Sequence, residues 1–279
     1  MKERASFTAA MIAVSRSLGR VLPEDARLIE DPFGERFATP VLRFIANNAR
    51  WLAPVIESTL VTVQVRTHLI DEALLGFVEH GGAQVLVLGA GFDARAARFA
   101  ARLRDAQVFE VDHPATQRRK RERLPDPQRV RYLPWDFEAS PVAGLPSALA
   151  ALGHDPARPT LTIWEGVTMY LSEPAVDATA RAVAALSSPG SRFVFTYVER
   201  AALERPRFAY RLAARLVAWV GEPMRFGFSP AELPTWLAAR GLTLDHDVGF
   251  RDAAELLVPA RYASLVARSM RVAFATRAA

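Results

Sequence analysis

Between residues 83 and 198 the chain repeats one pattern, a continuous apolar run followed by a stretch of helical periodicity. "AQVLVLGA" precedes "DARAARFAARL", and "AQVFEVD" precedes "PATQRRKRERL". "VRYLPWD" leads to an alanine-rich segment around 142–152, "TLTIWEG" leads to "EPAVDATARAVAAL", and "SRFVFTYV" follows Pro189-Gly190. Strands that are apolar on both faces need cover on both, and strands separated by helices run parallel. The pattern predicts an α/β fold with a seven-stranded, mostly parallel, doubly wound sheet of the Rossmann-like kind. "GLTLDHDVGF" and "SMRVAFATRA" supply its last two strands.

Residues 1–80 read as helical. "FTAAMIAVSRSLGR" is amphipathic, Asp31-Pro32 marks a helix start, and "VTVQVRTHLIDEALLGFVEHGG" is a long periodic stretch closed by Gly81-Gly82. The expected organisation is a helical N-terminal cap over 1–80 and a core over 81–279. Within the core, 200–240 forms a helical insertion over the site, in which Ser229, Pro230 and Glu232 read as a capping box.

Composition removes several function classes. There is no cysteine, so disulfides, thiolate nucleophiles and cysteine-ligated metals are excluded, and no metal is expected. The apolar run Ala9–Val14 is too short for a secretory leader, and no window reaches the ~18 apolar residues of a membrane span. A soluble, cytoplasmic protein is expected, with no membrane partner. The net charge of +5 rests almost wholly on arginine, the only lysines being Lys2 and Lys120. "RRKRER", Arg118–Arg123, reads as an exposed helix face with no aromatic residues to stack bases, so nucleic acid is not an expected partner.

In an open parallel sheet, ligands sit beyond the carboxyl ends of the strands. The first run ends in Gly89-Ala90-Gly91, where glycines permit a tight turn and close approach. The second ends in Asp112, 23 residues after Gly89, where a carboxylate can accept both ribose hydroxyls. Glu110 is its rival on the same face, and a helix cap is the other role open to Asp112. The third run ends in Asp136-Phe137, suited to an adenine amine and ring. The fourth ends in Glu165, a carboxylate that needs water or a cation beside it. The glycine turn and Asp112 serve a nicotinamide dinucleotide as well as S-adenosyl-L-methionine. Glu165, facing a sulfonium and an ammonium, and the lack of a Tyr-x-x-x-Lys pair favour the second ligand.

"VLVLGAGFDAR", "VFEVDHPATQRRK", "WDF", "WEGVTMYLSEPAV", "SPGSRFVFTYVE" and "GEPMRFGFSPAELPTWLAARGL" resemble the leucine carboxyl methyltransferase-like family. That family consists of class I S-adenosylmethionine-dependent O-methyltransferases. The resemblance implies that Arg66 binds the methionyl carboxylate, with Gly89 and Gly91 at the backbone turn and Asp112 on the ribose. It further implies that Asp136 and Phe137 frame the adenine and that Glu165 lies by the methionyl group. An N-terminal lysine that some members use is missing here, with Arg16 as the candidate replacement.

The activity implied is methyl transfer to a carboxylate or hydroxyl of a small molecule, with a secondary metabolite as the expected acceptor. A carboxylate is already ionised near neutral pH and needs no general base; a hydroxyl acceptor needs one more readily. Tyr170 is the candidate for orienting the acceptor, Arg225 for meeting an anionic one, and His68 for facing the pocket. His113 is expected at the cofactor edge, and His80, His154 and His246 in loops. An NAD(P)-dependent oxidoreductase and a catalytically silent nucleoside-binding module are the alternatives.

Overall fold

Each apolar run is a strand: β1 (Gln84–Leu88), β2 (Gln107–Asp112), β3 (Val130–Pro134), β4 (Thr160–Trp164) and β5 (Arg192–Val198). The two late runs are β6 (Leu242–Gly249) and β7 (Met270–Arg277). The computed structural model describes residues 7–124, 130–137, 140–204 and 224–277. The strands form one seven-stranded sheet in the order β3-β2-β1-β4-β5-β7-β6. The first five are mutually parallel, and β7 is antiparallel to both β5 and β6. Strand order reverses between β1 and β4, which opens a crevice beyond their carboxyl ends.

Alternation along the strands sends neighbouring residues to opposite faces. Val85, Val87, Val108, Leu161, Ile163 and Val194 enter one apolar cluster. Leu86, Leu88, Phe109, Val111, Trp164, Phe193 and Phe195 enter the other. The second is covered by α6 (Leu145–Ala151), α7 (Glu173–Ala185) and α9 (Leu233–Ala238).

The first face is covered mainly by the N-terminal helices α1 (Phe7–Ser17), α2 (Pro40–Asn47) and α3 (Ala49–Glu79). Ala10, Val14, Leu60, Val65 and Leu74 share one cluster with Val85, with Leu161 and with Phe250 of α10 (Phe250–Leu257). Residues 1–80 are thus packed into the core of the sheet as far as they are described. Gly81, at φ 88°, turns the chain after α3, and Gly82 N–H donates to Phe77 O at 3.0 Å. Because that turn feeds straight into β1, α3 runs back along the sheet and its middle reaches the carboxyl ends of the strands. Farther on, Ser58 Oγ donates to Leu265 O at 2.8 Å, tying the first half of α3 to the C-terminal region.

Local structure departs from expectation in several places. "DARAARFAARL" is helical only in α4 (Arg95–Arg98), whose Arg95 side chain is turned inward to buried carboxylates. Asp31 opens only a short 3-10 turn, Gly34–Phe37: its Oδ1 accepts from Phe33 N and Gly34 N at 2.8 and 3.1 Å, and the α-helix α2 begins at Pro40 with Thr39 as N-cap. The helix expected from Ser229 begins at Leu233, preceded by a turn in which Glu232 N donates to Ser229 O at 3.1 Å. Pro234 explains the delay, since a proline is tolerated in a first turn and breaks a helix interior. The basic run falls on α5 (Pro114–Arg121), where Arg118 and Arg121 are exposed but Lys120 is buried. Of the insertion at 200–240, 205–223 lies outside the described residues; α8 (Arg200–Glu204) and 224–240 flank it. No helix among the described residues is long and apolar enough to cross a membrane.

Candidate functional site

The end of β1 makes its turn through two left-handed glycines, Gly89 at φ 63° and Gly91 at φ 50°. A Cβ on Gly89 would lie 2.5 Å from Val167 Cγ2, so the turn excludes a side chain on steric as well as conformational grounds. Asp112, at the end of β2, faces this turn. Its Oδ2 accepts from Gly91 N at 2.6 Å and its Oδ1 from His113 N at 2.7 Å. Burial raises the Asp112 pKa, against the pull of those two backbone donors. A carboxylate offers about four lone-pair sites, so acceptor capacity remains after these two bonds.

The neighbours named as alternatives to Asp112 have partners of their own. Its rival Glu110 is buried and ion-paired to Lys120 Nζ at 2.5 Å. The Glu110 pKa is pushed up to about 6 by burial, with Lys120 opposing. The cap of α5 is His113, whose Nδ1 accepts from Ala115 N at 3.2 Å. Trp135 N donates to Asp112 O at 2.9 Å, which brings the end of β3 alongside. Asp136 Oδ2 therefore sits 3.8 Å from His113 Nε2, and Phe137 packs, partly buried, against the second apolar cluster. Gly89, Gly91, Asp112 and Asp136 thus share one rim.

Across the crevice, Glu165 follows β4 and points towards α3. Its Oε2 accepts from Arg95 Nη1 at 2.7 Å, and Arg66 Nε lies 2.6 Å from Oε1. That second contact is off the hydrogen-bonding axis, leaving both Arg66 Nε and Glu165 Oε1 without a hydrogen bond. Arg95 also donates to Asp93 Oδ2 at 2.5 Å and to Asp71 Oδ1 at 2.6 Å, and Arg98 Nη2 pairs with Asp71 Oδ2 at 2.8 Å. Three guanidiniums and three carboxylates from α3, the glycine turn, α4 and the end of β4 balance one another. Burial would raise Glu165, but Arg95 and then Arg66 outweigh it and hold the carboxyl below its ordinary range. Asp93 is lowered likewise, with burial overcome by Arg95, Lys120 and Arg16.

Tyr170 is half-buried in a short turn, Thr168–Tyr170, just after Glu165. Arg225 is exposed, and its N–H donates to Met169 O at 2.7 Å, so both acceptor candidates adjoin the same loop. Arg16 is committed elsewhere: it pairs with Asp31 at 2.8 Å and donates to Phe92 O at 2.5 Å, bracing the glycine turn. His68 lines a cavity of about 490 Å³, together with Leu28, Phe33, Asp71 and Phe99, to which Gly89, Asp112 and Glu165 do not contribute. His246 is not in a loop but in β6, stacked on Phe274 with centroids 4.1 Å apart. His154 is buried against Thr160 Oγ1 at 3.0 Å, and its pKa is lowered by burial.

Sequence reasoning missed Asp71, Asp93, Arg95 and Arg98. Their only signal was charge in unexpected places: an aspartate on the inward stripe of α3 and an Asp-x-Arg one residue beyond the glycines.

Residues 9–184 match the family described as leucine carboxyl methyltransferase, a span that holds every residue of this rim and network. A protein of Frankia alni with the provisional name of an S-adenosyl-L-methionine-dependent methyltransferase is 31% identical over 79% of this chain and 79% of its own. One of Streptomyces coelicolor, named in the same terms, is 33% identical over 78% of this chain and 76% of its own. Among solved structures, a DUF574 family protein from Streptomyces avermitilis superposes with a TM-score of 0.66 at 16% identity, covering 98% of each chain; this likeness concerns the fold.

Proposed function

The chain belongs to the leucine carboxyl methyltransferase family, and from that premise we propose that it methylates an oxygen, carboxylate or hydroxyl, of a small molecule. It is an S-adenosyl-L-methionine-dependent methyltransferase. The observation that supports the site is the convergence of Gly89, Gly91, Asp112 and Asp136 on one side of the β1/β4 crevice with Arg66 and Glu165 on the other. The residues suit the ligand: a guanidinium and a carboxylate, Arg66 and Glu165, each have one buried atom lacking a hydrogen bond.

In this proposal Asp112 accepts from both ribose hydroxyls with the lone pairs that Gly91 and His113 leave free. Asp136 accepts from the adenine amine, and Phe137 packs on its ring. Arg66 clamps the methionyl carboxylate and Glu165 takes the ammonium. When bound, S-adenosyl-L-methionine supplies a methyl group on a sulfonium, whose leaving group is neutral. The chain's contribution is then mostly alignment, which in favourable systems is worth roughly 7–11 kcal/mol. Tyr170 orients the acceptor and Arg225 meets an anionic one. A carboxylate acceptor fits a site whose rim histidine, His113, accepts from Ala115 N and lies beside Asp136 at the proposed adenine end.

Calorimetric titration with S-adenosylhomocysteine and with NADH tests the cofactor, with binding of the first expected. Binding of NADH alone would make the protein an oxidoreductase. Incubation with methyl-labelled cofactor and a metabolite extract tests the acceptor. Label released as methanol by mild alkali marks a carboxyl ester, alkali-stable label marks an ether, and no transferred label favours a silent nucleoside-binding module.

A further inference from the structure

The two guanidiniums at Glu165 are held differently. Arg95 is fixed from behind by Asp71 and Asp93, its own N–H donating to Asp93 Oδ1 at 2.7 Å, and it reaches Glu165 Oε2 through a hydrogen bond. Glu165 is the only ion-pair partner found for Arg66 among the described residues, and that contact lacks a hydrogen bond. A carboxylate as buried as Glu165, with a side chain 11% exposed, is costly to leave without a counterion. If Arg66 is to turn to a ligand, something else must keep Glu165 charged.

Resting on the methyltransferase reading, we propose that Arg95 is a positioning residue, the standing counterion that keeps Glu165 ionised and aimed while Arg66 leaves it for the ligand's carboxylate. The ligand's ammonium then takes Oε1, and one off-axis ion pair is exchanged for two pairs with the zwitterion. The charged groups facing Glu165 are Arg66 from α3, Arg95 and Asp93 from the turn and α4, and Arg16 from α1. Of these cations, Arg16 is engaged by Asp31 and Phe92 O, so Arg95 is the one hydrogen-bonded to Glu165. Asp71 sets the far end of the device, since it bridges Arg95 and Arg98.

The test compares two probes, S-adenosylhomocysteine and 5′-methylthioadenosine, which share the adenosine and thioether but differ in the amino-acid end. Arg95→Gln is expected to weaken S-adenosylhomocysteine by about thirtyfold or more, as for a buried charge pair losing one partner, and to leave methylthioadenosine nearly unchanged. Arg95→Lys, which restores the charge without the planar fork, recovers part of the loss. Equal weakening of both probes would mean a merely structural role and overturn the proposal, as would no weakening of either. A readout on the unaltered protein needs no variant to fold. The ratio of the two affinities is expected to stay flat from about pH 7 to about pH 5, well above the range of an arginine-paired carboxylate. A ratio that falls across that window would show Glu165 protonating and sink the proposal. An unaltered protein that binds neither probe would instead remove the cofactor assignment itself.

Discussion

At Asp112 the backbone does the holding, whereas at Glu165 side chains hold one another. The Asp112 carboxylate is gripped by the N–H groups of Gly91 and its own neighbour His113, so its place follows from a turn and a strand end. Glu165 is placed by Arg66 and Arg95, which reach it from α3 and α4 and are themselves arranged by Asp71 and Asp93. A site end made of backbone is fixed once the chain takes its local conformation. One made of charged side chains is fixed only when distant elements have packed, and in the proposed exchange its members change partners when a zwitterion arrives.

The largest expected effect separates the two ends directly. Asp112→Ala removes the proposed acceptor for the ribose and strands the Gly91 and His113 donors, so S-adenosylhomocysteine and methylthioadenosine should weaken together by about a hundredfold or more. Sparing of methylthioadenosine in that titration would erase the distinction between the ends. Arg66→Ala should weaken only the probe with an amino-acid end, by roughly tenfold to a hundredfold. A smaller effect probes the backbone end without touching charge. Gly89→Ala puts a Cβ at φ 63° and against Val167, and urea unfolding should show a loss of about 1–2 kcal/mol.

The subtlest difference is in the sign of pH dependence. Folded Glu165 sits below its unfolded value of 4.5, so its contribution to stability is present above that pH and is lost as pH falls through the lower folded value. Folded Glu110 sits above 4.5, at about 6, so its contribution is present below 4.5 and is lost as pH rises through about 6. Urea midpoints measured across this range should lose acid sensitivity in Glu165→Gln and gain it in Glu110→Gln. A shift of the same sign in both variants would contradict the assignment.

The same contrast explains what was legible in the sequence. The strands, the glycine turn and Asp112 follow from local pattern: apolar runs of strand length, glycines at a strand end, and a carboxylate closing the next strand. Glu165 was conspicuous as an acid beyond an apolar run, yet its partners were not, because Asp71 and Arg95 are 24 residues apart and meet only through packing. Lys120 was misread for a like reason, as its inward turn to Glu110 depends on how α5 lies on β2. The delayed start of α9 was readable in hindsight from Pro234, a breaker that outweighed the cap signal at Ser229.

Arg66 belongs to a single 31-residue helix that is tied to the C-terminal region through Ser58, eight residues before it, and that passes at its far end through Gly81 into β1. In the proposed binding mode, a ligand that takes Arg66 therefore pulls on a stretch of helix anchored on either side of it. Because the N-terminal helices share one apolar cluster with the sheet, a saturating ligand is expected to raise their melting together with that of the strands.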